Sequence, residues 1–282
     1  IRDRPNSIRY PILRAMFQGV CPEKLKGTFF GLVTLFAGIG SSLTPLISGI
    51  LIDKFGFFSL VVFQSTICIL LLVLTLFFVK SKGKRVENRK FFRKVDLSIL
   101  KVSKVTQALA LYYLISGIPF VVAWIYFPFF SLQIIKSYAY LGSLLALMNF
   151  IPVLGRVPFG YLSDNYGWLK MYVIGNLLVT LTFIVLPFTG NPVHLLVLST
   201  VVGLGISMYL PCEEALINVN VDGDRIGEAM NVLTFLQRIG TLLGAILGGI
   251  IASTLGLFWV LLFAGIVQAM GFISFLIKYK YG

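Results

Sequence analysis

Gly155-Arg156-Val157-Pro158-Phe159-Gly160-Tyr161-Leu162-Ser163-Asp164-Asn165-Tyr166-Gly167-Trp168-Leu169-Lys170 is a short polar hinge between two long apolar runs. It reads as a hydrophobic helix ending near Leu162, a tight turn holding Asp164 and Gly167, and a second hydrophobic helix starting near Met171. A turn this short sets two membrane spans back to back, and its charges help decide which side of the bilayer it occupies.

The apolar runs on either side continue along the whole chain. Of 282 residues, 57% are hydrophobic and only 12% charged, which leaves too little polar surface for a water-facing shell. Gly27 to Ile52 and Phe55 to Val79 contain no Asp, Glu, Lys or Arg. A helix needs roughly 20 apolar residues to cross about 30 Å of hydrocarbon. The alternating pattern of a barrel is absent. The fold class is therefore an all-α polytopic membrane protein with eight transmembrane helices.

The spans are read as Gly27 to Ile52, Phe55 to Val79, Thr106 to Ile135, Tyr138 to Leu162, two within Met171 to Cys212 divided by Gly190-Asn191-Pro192, then Glu228 to Ala252 and Gly256 to Ile277. Pro119 supplies a bend point in the third. The net charge of +13 could suggest nucleic acid, but the cations concentrate in residues 1–26 and in the loop Lys80 to Lys104. Basic loops beside apolar spans are the positive-inside signal, so nucleic-acid binding is set aside. Counting through eight spans puts residues 1–26, the basic loop, the hinge, the Arg225 loop and the tail on one side. Only Lys54 and Lys136 fall on the other. The expectation is a multi-pass plasma-membrane protein with both termini cytoplasmic.

Cys21, Cys68 and Cys212 have no ligand spacing, and no Ser/His/Asp, Cys/His or metal-ligand cluster faces a common site. The expectation is a non-enzyme with no catalytic residue, cofactor or metal, in contact with the lipid bilayer and a small-molecule substrate.

A shift of 200 positions lays the first span on the seventh: Thr34 on Thr234, Ile39-Gly40 on Ile239-Gly240, Leu43 on Leu243, Gly49-Ile50 on Gly249-Ile250, Gly56 on Gly256, Phe58 on Phe258. Six crossings separate the copies, so they have the same orientation, as in a parallel repeat of six-helix units. The organisation that follows is 1–26, an N-terminal segment at the end of a missing span; 27–79, the last two helices of the first repeat; 80–104, the inter-repeat loop; and 105–282, a complete six-helix second repeat. About four spans before Ile1 are expected from this periodicity. With them present, a monomer is expected.

These features resemble the major facilitator superfamily, whose two six-helix halves are joined by a basic cytoplasmic loop. The hinge is similar to the family's signature loop on Gly160, Asp164, Gly167 and the late cation Lys170, and departs from it at Asn165, where a cation is usual. Gly31, Gly40, Thr44-Pro45 and Ser48-Gly49 resemble the family's antiporter motif, with Thr44 and Ser48 in place of two glycines. The resemblance implies a secondary transporter working by alternating access. It makes Gly160, Asp164, Gly167, Lys170, Gly40, Pro45 and Gly49 gating or motif residues, with Asp164 approaching the start of the first span near Gly27-Thr28.

The residues expected to bind substrate are polar ones inside spans. Arg238 lies deep in the seventh, where a guanidinium costs at least about 2.5–3.5 kcal/mol unless matched. Asn231, Thr234 and Thr241 share its face at spacings of three and four. Arg156, about six residues from the end of the fourth span, shares a face with Asn149 and Pro152. Tyr112 and Ser116 form, with Pro119 and Tyr126, a stripe on the third. Gly155-Arg156-x-x-x-Gly160 together with a cation in the seventh span is similar to the oxalate/formate and monocarboxylate branches, in which two cations clamp a carboxylate. The substrate expected on that basis is a small organic anion. The alternatives are a drug or metabolite exporter, suggested by the antiporter-like motif, and a truncated, non-transporting remnant. Glu213 and Glu214, read at the end of the sixth span, are expected to be solvated or to serve a gate, and no acid is expected deep in a span.

Overall fold

The computed structural model describes residues 26–78, 103–221 and 225–281. The segments 1–25, 79–102 and 222–224, which include the basic inter-repeat loop, lie outside the described residues. Eight helices are long and apolar enough to cross a membrane: α1 Lys26–Phe55, α2 Phe57–Phe78, α3 Lys104–Ile135, α4 Tyr138–Tyr166, α5 Trp168–Val185, α6 Pro192–Asn220, α7 Ile226–Thr254 and α8 Leu257–Tyr281. A 3-10 turn, Leu186–Phe188, follows α5. The described residues contain no strand. In hydrocarbon every backbone N–H and C=O must be bonded within the chain, and an uninterrupted helix does this locally.

The helix ends follow local chemistry. Ser103 accepts a hydrogen bond from the Thr106 N–H at 3.0 Å and starts α3. Ser137 does the same for Tyr140 in α4, at 3.2 Å, and Asn191 for Val193 in α6, at 2.8 Å, with Pro192 in the first turn. These caps satisfy N–H groups that have no partner inside the helix. Gly56, Gly167 and Gly256 take φ of +77°, +95° and +95°, a region nearly closed to residues with a Cβ. Gly56 and Gly256, 200 positions apart, each join two consecutive helices, so both copies of the repeat turn on the same residue.

The hinge is tighter than the sequence suggests. α4 runs on to Tyr166 and α5 begins at Trp168, leaving Gly167 alone between them. Its N–H bonds to the Ser163 carbonyl at 2.9 Å, and its positive φ reverses the chain in one residue. Arg156 therefore sits ten residues, about 15 Å, from the end of α4 rather than about six residues from it. α3 passes through Pro119 and Pro128 as one helix.

Helices meet backbone to backbone at glycines. On α7, a Cβ at Gly240 would collide with the Leu114 carbonyl oxygen of α3, and one at Gly244 would lie 2.7 Å from the Ile118 Cα. Gly117 of α3 approaches the Gln237 carbonyl equally closely, and Tyr126 donates to the Ala245 carbonyl at 3.0 Å. Gly175 and Gly205 join α5 to α6, Gly265 joins α8 to α5, and Gly155 and Gly203 join α4 to α6. Small residues of this kind govern association in membranes, where no hydrophobic driving force acts between helices. α2 packs lightly and leaves its apolar side chains exposed, a surface suited to hydrocarbon.

Gly240→Val should lower stability by at least about 1–3 kcal/mol, the usual range for overpacking, because the obstructing atom is backbone. Gly190→Ala, with open space around it, should stay within about 0.5 kcal/mol. Thermal melts in detergent check both, and equal melting temperatures would reject the close α3–α7 contact.

Candidate functional site

The polar residues inside the spans fall into three groups. The first is a buried cluster at the meeting of α3, α5, α6 and α8. Tyr112 donates to Asn176 Oδ1 and accepts from Gln268 Nε2 at 3.2 Å. Asn176 also donates to the Tyr172 carbonyl at 3.1 Å. The Tyr112 and Tyr172 rings meet edge-on at 5.9 Å, and Phe275 lies 4.7 Å from Tyr172. Tyr209 closes the group at 6.3 Å from Tyr172. The Tyr172 hydroxyl has no hydrogen-bond partner of good geometry.

Glu213 lies against this cluster. It is 5% exposed, and its carboxyl meets the Tyr113 phenol. Sequence reasoning expected it to be solvated or to serve a gate because it stands close to the expected end of the span at Cys212. The structure extends α6 to Asn220 and turns Glu213 inward, so it is buried rather than solvated. The available signal was the tyrosine set: Tyr112, Tyr113, Tyr172 and Tyr209 sit at helical positions that can converge only if three helices meet.

The second group is an ion pair. Arg156 Nη2 lies 3.5 Å from Glu214 Oε1, with side chains 40% and 53% exposed. It joins α4 to α6, so Arg156 has a protein carboxylate beside it. Asn149, expected on the same face, turns its Nδ2 back to the Leu145 carbonyl at 2.7 Å.

The third group is the stripe on α7. Asn231, Thr234 and Arg238 are exposed and Thr241 half-buried. Arg238 stands about 18 Å into the helix. Thr234 and Thr241 bond the Met230 and Gln237 carbonyls of their own helix, at 2.7 and 2.9 Å. Arg238 makes no ion pair with any described residue. Phe235 and Leu242, three before and four after Arg238, share its face, and with Ile239, Leu243 and Ile246 they are exposed.

Tyr112 and Ser116, expected along a cavity wall, are both buried; Ser116 donates to the Tyr113 carbonyl at 3.3 Å. Asp164 accepts from Trp168 Nε1 at 2.9 Å within the hinge and is exposed, as are Gly167 and Lys170. Its expected neighbour at Gly27-Thr28 lies where side chains are outside the described residues. Gly160 and Gly40 have open space around them, whereas Gly49 meets the Tyr138 carbonyl and the Pro45 carbonyl meets Gly142.

A family model described as the Major Facilitator Superfamily matches residues 6–136 and 109–281. The chain is 23% identical over 277 residues to an uncharacterized MFS-type transporter of Methanocaldococcus jannaschii, covering 94% of this chain and 70% of that protein. It is 27% identical over 255 residues to the uncharacterized MFS-type transporter YuxJ of Bacillus subtilis, covering 86% and 64%. It is 23% identical over 254 residues to the multidrug resistance protein MdtG of Citrobacter koseri, covering 87% and 62%. The chain thus spans about two thirds of the length of these relatives.

Tyr112→Phe removes the partner of Asn176 and Gln268 and should cost about 1–3 kcal/mol, the penalty for buried polar groups left unpaired. Glu214→Gln breaks a half-exposed pair worth only about 0–1 kcal/mol. Melting curves should rank the two in that order.

Proposed function

The chain belongs to the major facilitator superfamily, and from that premise we propose that it is a secondary transporter exporting amphipathic organic molecules, cationic or neutral, by alternating access. The observation that carries this reading is the charge balance around α6. Arg156, a cation within α4, is neutralised by Glu214, and Glu213 stands next to Glu214 among phenols with no cation on it among the described residues. A buried acid among phenols beside a neutralised cation favours positive or neutral cargo with aromatic surface once the pathway opens onto it, since tyrosine faces attract cations. The Citrobacter koseri relative is named a multidrug resistance protein, which supports the same reading.

Membrane-embedded carboxyls also serve as proton relays in transporters. Glu213 is the acid suited to that role here, with a proton entering as cargo leaves.

Arg238 favours a second reading, in which the cargo is a small organic anion. Its guanidinium is the deep cation that no described carboxylate matches, and Arg suits bidentate carboxylate binding. Arg156 would then contribute only after leaving Glu214.

One set of variants separates the two. In cells expressing the full-length protein, export of a fluorescent lipophilic cation such as ethidium should disappear in Glu213→Gln and persist in Arg238→Gln. Loss in Arg238→Gln of transport of labelled oxalate or lactate, with no ethidium export by the wild type, would replace the first reading with the second.

A further inference from the structure

We propose that Asp53 is a latch: from the last turn of α1 it caps the first turn of α4, and this contact must break before that end of the pathway opens. The inference rests on the alternating-access reading above. It concerns the seam between the two repeats, since α1 belongs to the first and α4 to the second.

The geometry is specific. Asp53 Oδ1 accepts from the Tyr138 N–H at 2.9 Å, and Oδ2 accepts from the Ala139 N–H at 2.7 Å and from the Ser137 hydroxyl at 2.8 Å. The first N–H groups of a helix have no partner within it and carry the positive end of its dipole. An ordinary cap comes from the helix's own chain, as Ser137 also provides for Tyr140. Here a carboxylate from a helix of the other repeat supplies the rest.

Around Asp53 the two backbones touch. A Cβ at Gly49 would collide with the Tyr138 carbonyl oxygen, and one at Gly142 with the Pro45 carbonyl oxygen. Phe57, just past the latch, sets its ring edge-on to Tyr138 at 5.2 Å. Farther along the seam Gly38 of α1 closes on the Val153 side chain of α4, but among the described residues the hydrogen bonds that join α1 to α4 are those of Asp53.

The repeat shows that the acid is not a general feature of this position. Two hundred residues on, Asp53 becomes Ser253, whose hydroxyl turns to the Ile250 carbonyl of its own helix at 3.0 Å. Hydrogen bonds at 2.7–2.9 Å weaken steeply with separation, so a small hinge movement at this end releases all three together.

The test uses the full-length protein in detergent, with Cys21 and Cys68 replaced by Ser and a reporter Leu46→Cys on the α1 side of the seam. Native Cys212, which is buried, stays as the unfolding control. Maleimide labelling of the reporter is read by peptide mass spectrometry. Asp53→Ala should speed it by roughly three- to fivefold, the population shift expected for losing a charged helix cap. Asp53→Asn should give a smaller gain and Ser137→Ala the smallest, with Cys212 silent throughout. An unchanged rate in Asp53→Ala overturns the latch. So does labelling of Cys212 together with the reporter, because the whole bundle has then loosened. The labelling needs no cargo, so a failed export assay would sink the functional reading without touching this result.

Discussion

The structure depends on helices approaching until their backbones touch. In hydrocarbon, two apolar helices gain nothing by hiding from lipid, so contact must come from dispersion at very short range. Glycine permits that range because a Cβ would occupy the space of the neighbouring backbone. The α3–α7 seam at Gly117, Gly240 and Gly244 and the α1–α4 seam at Gly49 and Gly142 are both built this way. Seams without interdigitated side chains can also part and re-form without rotamer rearrangement.

Once the helices are placed, the polar groups inside them have few options. Tyr112, Asn176 and Gln268 satisfy one another and tie α3, α5 and α8 together. Ser and Thr hydroxyls along the spans mostly return to carbonyls of their own helices, as Thr182 and Thr234 do. Arg156 and Glu214 cancel across α4 and α6. Of the charged groups within the described helices, Glu213 is left enclosed by phenols and Arg238 on an exposed face. Unmatched charge at such depth is costly and is the usual mark of function. The two residues carry opposite signs, so they support different cargoes, and the preference for one over the other follows from the neutralisation of Arg156.

The amino-acid sequence by itself determined that the chain is a polytopic membrane protein, how many membrane-length helices its described residues form and that it is internally repeated. These properties follow from composition, the length of uncharged runs and glycines at a fixed offset, all of which are local or additive. The family was legible for the same reason, because the hinge around Gly160, Asp164 and Gly167 is contiguous. The ends of α4 and α6 were placed too early because each helix continues past the last strongly apolar residue, and an apolar run marks the hydrocarbon rather than the helix end. Only the tertiary structure decided which charges meet. Whether Glu214 reaches Arg156, whether Glu213 faces phenols or water, and whether Asp53 ends a helix or caps another depend on the rotation and crossing of helices distant in sequence. A few degrees of rotation move a side chain from lipid to partner, and no local pattern records that angle.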